Sequence, residues 1–207
     1  MSRIKLFKNG FTMAEVLITL GVVGVVAAMT LPSVINHYKK TVTEKQLKLA
    51  YNLVANGFKL SAFHNGPIND INFDNTNNEF FLKYIKPYFQ GAIQCANMQE
   101  CGYKTIPYTQ WCGGDNYAMI SNPNRSFFKI KNGYIILLLL TSQYVFIDIN
   151  GSSGPNKSGA DVFRFSINDS NGIYPVKANC TNKVTSGCAY YIMQNGWKIP
   201  DDYPVKL

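Results

Sequence analysis

Cysteine is missing from the first 94 residues, and all five cysteines (Cys95, Cys101, Cys112, Cys180 and Cys188) fall in the last 113. Whatever uses thiols or disulfides therefore belongs to the C-terminal part. Metal chemistry has little to draw on, because no C-x-x-C pair occurs and the only histidines, His37 and His64, lie outside the cysteine-bearing region. A zinc centre needs clustered Cys and His ligands, which this spacing does not supply. Catalytic motifs are missing too: there is no glycine-rich phosphate loop and no G-x-S-x-G. The carboxylate pair Asp201-Asp202 follows Pro200 in the tail. Cys112, beside Gly113-Gly114, is the one candidate thiol nucleophile, and the sequence places no base next to it. The chain reads as a non-enzyme.

Charge is also sparse, at 15% of residues. The net charge is +8, but Arg3, Lys5 and Lys8 supply three of those charges, leaving +5 for the rest. Apart from Lys39-Lys40, which follows an apolar run, the remaining basic residues are scattered. A nucleic-acid groove needs a clustered basic face, so the pattern argues against one. At 46% apolar residues the chain still has enough to bury a core.

One long apolar run is present. The 21 residues from Phe11 to Leu31 contain a single ionisable group, Glu15. As a helix, ~20 residues at about 1.5 Å each cross the ~30 Å hydrocarbon core of a bilayer. The basic residues ahead of it favour a cytoplasmic N-terminus, with the remainder outside. Three readings compete. A plain signal anchor leaves Glu15 as an uncompensated cost of about 2.5 to 3.5 kcal/mol. A secretory signal cut after Ala28, where Val26 and Ala28 satisfy the small-residue rule, would release a monomeric exported binding or adhesive protein. The third reading cuts between Gly10 and Phe11 and keeps the apolar helix.

The run Gly10-Phe11-Thr12-Met13-Ala14-Glu15-Val16-Leu17 resembles the processing site of type IV prepilins and type II secretion pseudopilins. That resemblance implies removal of residues 1–10 by a prepilin peptidase, N-methylation of Phe11 and an assembly role for Glu15, the fifth residue after the cut. Gly24 and Pro32 fall where such helices commonly carry a glycine and a proline. It further implies a minor pilin or pseudopilin in the inner membrane, with its head periplasmic or on a filament. The implied partners are other subunits, an inner-membrane assembly platform and an ATPase. The residues make the same sense physically. Gly10 has no Cβ to obstruct a protease backbone. Once cut, the Phe11 amine has a natural counter-charge in the Glu15 carboxylate, its own or a neighbour's, and low dielectric strengthens the pairing. Pro32 removes a backbone donor and loosens or kinks the helix.

Beyond the apolar run, Val34, Ile35, Tyr38, Val42, Leu47, Ala50, Val54, Phe58 and Ala62 keep a helical stripe, with Lys39, Lys40, Glu44, Lys45 and Lys48 off it. A transmembrane and stalk helix is expected over 11–63, about 80 Å if unbroken, with Asn56-Gly57 as a candidate interruption and His64-Asn65-Gly66-Pro67 as the stop. A head follows over 64–207. In it a capped short helix begins near Asn77 and ends near Pro87. Strands are expected at 127–131, 134–140, 144–149 and 161–167, with Asn132-Gly133 as a hairpin turn and Ile135 to Leu140 as a buried central strand. The fold class is α+β: a long N-terminal helix packed on an antiparallel sheet.

Three features of the head remain. The stretch Asp148 to Asp161 is dense in Asp, Asn, Ser and Gly, and either caps its own turns or gathers oxygens for calcium, with Asp148, Asn150 and Asp161 as ligands. It departs from an EF-hand loop at Ser153 and Gly159, and calcium-binding head loops in some pseudopilins are what the resemblance adds. Among the cysteines, a Cys180–Cys188 disulfide would close a seven-residue loop at a gain of about 2 to 3 kcal/mol. The trio Cys95, Cys101 and Cys112 allows three pairings, of which Cys95–Cys101 closes the shortest loop. Tyr190, Tyr191 and Trp197 close a core or, in the adhesive reading, stack on a sugar.

Overall fold

The computed structural model describes residues 10–67, 77–104, 125–139, 143–168 and 172–207. Leader residues 1–9, Leu140 and Cys112 lie outside them. Helix α1 runs Met13–Asn65. A one-turn helix α2, Asn77–Phe80, passes into a π-helical turn, Phe81–Ile85. Six strands follow: β1 Ile93–Cys95, β2 Arg125–Lys129, β3 Ile135–Leu139, β4 Tyr144–Asp148, β5 Val162–Asn168 and β6 Gly172–Pro175. Helix α3 is Cys188–Gln194. The strands form one antiparallel meander in sequence order. The protein is α+β.

The chain divides into two compact units, Met1–Lys39 and Lys40–Leu207. In the first, every described side chain from Gly10 to Tyr38 is exposed, and α1 there contains a window long and apolar enough to cross a membrane. The hydroxyls in that window are satisfied locally: Thr19 Oγ1 donates to Val16 O at 3.0 Å and Thr30 Oγ1 to Val26 O at 3.0 Å. Such back-bonding lets a polar side chain sit in an apolar surround without an orphaned donor. Pro32 lies inside α1, which continues through it. Lacking an N–H, Pro32 leaves the Ala28 carbonyl without its helical donor.

In the second unit, α1 buries Leu47, Ala50, Val54, Phe58 and Ala62 at helical spacing against the sheet. Inner-face residues Phe128, Ile136, Leu138, Val145, Ile147, Phe163 and Phe165 complete this core. The alternate residues Phe127, Ile135, Leu137, Leu139, Phe146 and Val162 form a second buried cluster on the other face, with Met98, Tyr103 and the Cys95 and Cys101 side chains over it. Along β3 the period of two is thus apolar on both faces, and all five positions are buried.

Several expectations need correction. Asn56-Gly57 does not interrupt α1. Gly57 is there for space, since a Cβ would meet the Phe89 ring at 2.5 to 2.9 Å. Glu44, placed off the buried stripe by its charge, is buried; its carboxylate accepts Ile199 N at 2.9 Å and pairs with Lys198 Nζ at 2.7 Å. Strand β2 begins and ends two residues before the expected 127–131. The edge strands β1 and β6 and helix α3 carry no sequence signal strong enough to have been expected. α1 stops at Asn65, where Gly66 takes φ +83° and donates to Ala62 O at 2.9 Å.

Phe89 has no space to retreat, because its ring lies edge-on to Phe58 and Phe128, each at 5.4 Å. Gly57→Ala should therefore destabilise the protein by about 1 to 3 kcal/mol of overpacking, despite a helix-propensity gain of about 1 kcal/mol. Urea unfolding in detergent micelles measures this, and Phe89→Leu in the same chain should restore most of the loss.

Candidate functional site

The N-terminal motif is built on a reciprocal cap. Thr12 stands just before α1, and its backbone N and Oγ1 both donate to Glu15 Oε2, at 2.8 and 3.0 Å. Glu15 N returns a bond to Thr12 Oγ1 at 3.2 Å. This is the capping box T-x-x-E, which satisfies donors at the start of the helix. The spacing Thr12-x-x-Glu15 is the sequence signal of such a box, so the carboxylate expected as a counter-charge is also a helix cap. Phe11 is 88% exposed and, with Gly10, precedes the helix. Among the described residues nothing crowds a Cβ at Gly10, so the fold itself does not demand glycine there.

The head loop between β4 and β5 gathers Asp148, Asn150 and Asp161. Asp148 is fully buried; its Oδ2 accepts the Tyr103 hydroxyl at 2.5 Å and its Oδ1 accepts Asn150 N at 3.1 Å. Asp161, 4% exposed, accepts Lys157 N at 2.6 Å, Asn156 N at 2.7 Å and Asn150 Nδ2 at 3.2 Å. Asn156 turns its amide nitrogen toward Asp148 Oδ2 and Gly151 O, each at 3.2 Å, and Ser153 O at 3.1 Å. The carboxylates thus cap the turns of their own loop, and among the described residues no three His, Cys, Asp or Glu side chains converge. Burial raises the Asp148 carboxyl to about 8, against the pull of the Tyr103 hydroxyl and with the nearby Asp161 adding to the rise. Burial raises Asp161 as well, opposed by its backbone donors.

Two disulfides brace the head. Cys95–Cys101 ties β1 to the turn that carries Met98 over the sheet, and Cys180–Cys188 ties the segment after β6 to the first turn of α3. At Gly187 a Cβ would fall 1.8 Å from Ala178 O, so the second loop closes only on glycine. Trp197 packs on Tyr51 of α1 with ring centroids 5.3 Å apart. His64 stacks on Tyr88 at 5.7 Å. Asp201 holds Lys40 at 2.8 Å, and Asp202 stands 3.4 Å from the Tyr191 hydroxyl.

Comparison with protein-family models, curated proteins and solved structures finds no match to this chain.

A carboxyl whose native pKa is raised keeps its proton in the folded state while the unfolded chain loses it. Stability is then full below the ordinary value near 3.8 and falls as pH climbs toward about 8. In chelator, thermal melts of the detergent-solubilised protein should lose stability across that window with a slope approaching about 1.4 kcal/mol per pH unit. Asp148→Asn should flatten the profile; an unchanged slope would locate the effect elsewhere.

Proposed function

We propose that the chain is a structural subunit of a type IV pilin-like filament, a minor pilin or pseudopilin that assembles through its N-terminal helix. The observation that carries this reading is the arrangement at residues 10–15. An exposed, non-helical Gly10-Phe11 bond stands immediately before a capped helix whose apolar first part, through Leu31, has a single carboxylate, Glu15, in the first turn. A prepilin peptidase would cut after Gly10, and the Phe11 amine would be methylated. α1 would anchor the subunit in the inner membrane, with the Lys40–Leu207 unit outside the cytoplasm, until the assembly platform moves it into the fibre. A glycine that the fold does not itself require supports a demand from a protease. Locally satisfied threonines support residence in lipid.

The capping box sharpens the role of Glu15. In the precursor its carboxylate is held by Thr12 of the same chain. After cleavage an amine one residue upstream competes for the same oxygens, and a charged partner wins over a neutral one in low dielectric. Glu15→Gln keeps the cap, since Gln serves the box as well as Glu, but removes the charge. Filament yield should fall by about tenfold or more in Glu15→Gln, the equivalent of about 1.4 kcal/mol in a charge pair. Normal yield in Glu15→Gln with loss only in Glu15→Ala would assign Glu15 to capping alone. Mass spectrometry of the mature protein tests the cut. N-methylated Phe11 supports assembly, and a start at Met29 supports the exported monomer.

For the head loop we propose calcium as a ligand. The observation that favours it is the crowding of Asp148 Oδ2, Gly151 O and Ser153 O around the Asn156 amide, while Asn150 Oδ1 is buried without a donor. A cation would gather these oxygens with the Asn156 carbonyl turned inward, replacing one amide group that cannot serve three acceptors at once. Calcium at a hundredfold excess over its dissociation constant should stabilise the fold by about 2.7 kcal/mol, read from unfolding with and without chelator. Equal stability in both would leave the loop as a set of capped turns.

A further inference from the structure

Between the Cys180–Cys188 loop and the C-terminal segment lies an open recess of about 450 Å³ lined by Cys180, Thr181, Asn182, Tyr191, Asp202 and Pro204. Small-ligand sites commonly occupy about 300 to 1,000 Å³. The walls are fixed before any ligand arrives. The disulfide closes one wall, and within it Thr181 N donates to Val184 O at 2.7 Å while Thr181 Oγ1 accepts Val184 N at 2.9 Å. On the opposite side the Tyr191 ring lies parallel to that of Tyr203, 10° between planes, and Tyr203 is itself anchored by its hydroxyl to Gly159 O.

Two polar groups in the recess, Asn182 and Asp202, have bonding capacity to spare, whereas the Thr181 hydroxyl already accepts Lys183 N and Val184 N. Asn182 is exposed and its amide has no hydrogen-bond partner among the described residues; Asp202 meets only the Tyr191 hydroxyl, at 3.4 Å. No lysine or arginine is among the lining residues, which disfavours phosphate, sulfate or an acidic peptide. A tyrosine ring and a proline ring supply flat apolar surface, and a carboxylate, an amide and two hydroxyls stand at its margin. A pyranose has matching chemistry: C–H faces that pack on rings, and a rim of hydroxyl pairs that a carboxylate and an amide receive as acceptor and donor.

We propose that this recess is a saccharide site, taking a neutral mono- or disaccharide with Tyr191 and Pro204 against the ring and Asn182 and Asp202 on its hydroxyls. It goes beyond filament assembly, since neither leader removal nor the N-terminal helix takes part in it.

Saturation-transfer NMR on the full chain in a phosphocholine detergent, which carries no sugar headgroup, tests the site with the methyl glycosides of glucose, galactose, mannose and N-acetylglucosamine. Saturable transfer is expected from at least one of them. Its dissociation constant should rise about tenfold in Asn182→Ala and in Asp202→Ala. Both side chains are exposed, and unchanged melting curves would show that the variants fold. No saturable transfer from any of the four glycosides would overturn the proposal, as would equal affinity in both variants or binding of lysine methyl ester alone. The detergent-solubilised monomer is sufficient, so failure here would not touch the assembly reading, and a failure to assemble would not touch this one.

Discussion

The central strand of the sheet, β3, has no polar face, and much of the head follows from that. Ile135, Ile136, Leu137, Leu138 and Leu139 are all fully buried, so water must be kept from both sides of the central strands. An antiparallel sheet of this size can often leave one face wet. Here one face is closed by the later turns of α1 and the other by a short segment pinned through Cys95–Cys101.

Tyr103 and Asp148 show how closely the second cover is keyed to the loop after β4. The tyrosine belongs to the segment over the sheet and the aspartate to the end of β4, and their bond joins the cover to the turns that Asp148 and Asp161 organise. Tyr203 and Thr185 grip the same loop from the C-terminal side, through Gly159 O and Ser158 Oγ. The loop is thus a junction of three chain segments. The buried acid there is held by the Tyr103 hydroxyl and Asn150 N, one donor on each carboxylate oxygen.

What could be read from the amino-acid sequence followed periodicity and chain stops. The stripe from Val34 to Ala62, the run Ile135 to Leu140 and the stop at His64-Asn65-Gly66-Pro67 rest on local rules; the stripe is buried from Leu47 on, while Val34, Ile35 and Tyr38 are exposed, the run forms β3 as far as Leu139, and α1 ends at Asn65. The failures were tertiary. Glu44 reads as a surface residue until Lys198 and Ile199, more than 150 positions away, are seen to satisfy it. Gly57 reads as a breaker until Phe89 is seen against it. β1 and β6, at three and four residues, are strands only because longer neighbours offer them an edge. At the other end, Thr12 was read as part of a cleavage motif when its hydroxyl is also the first cap of the helix.

The bonds from residues 198–201 back to Lys40 and Glu44 set an order on folding in the cell. Ribosomes deliver α1 first and its latch more than 150 residues later, at roughly 5 to 20 residues per second. For several seconds a growing chain would present the apolar flank of α1 before the strands that cover it, and the latch that follows them, have been made. That flank must be kept from sticking to other nascent chains until the sheet and the final turn arrive.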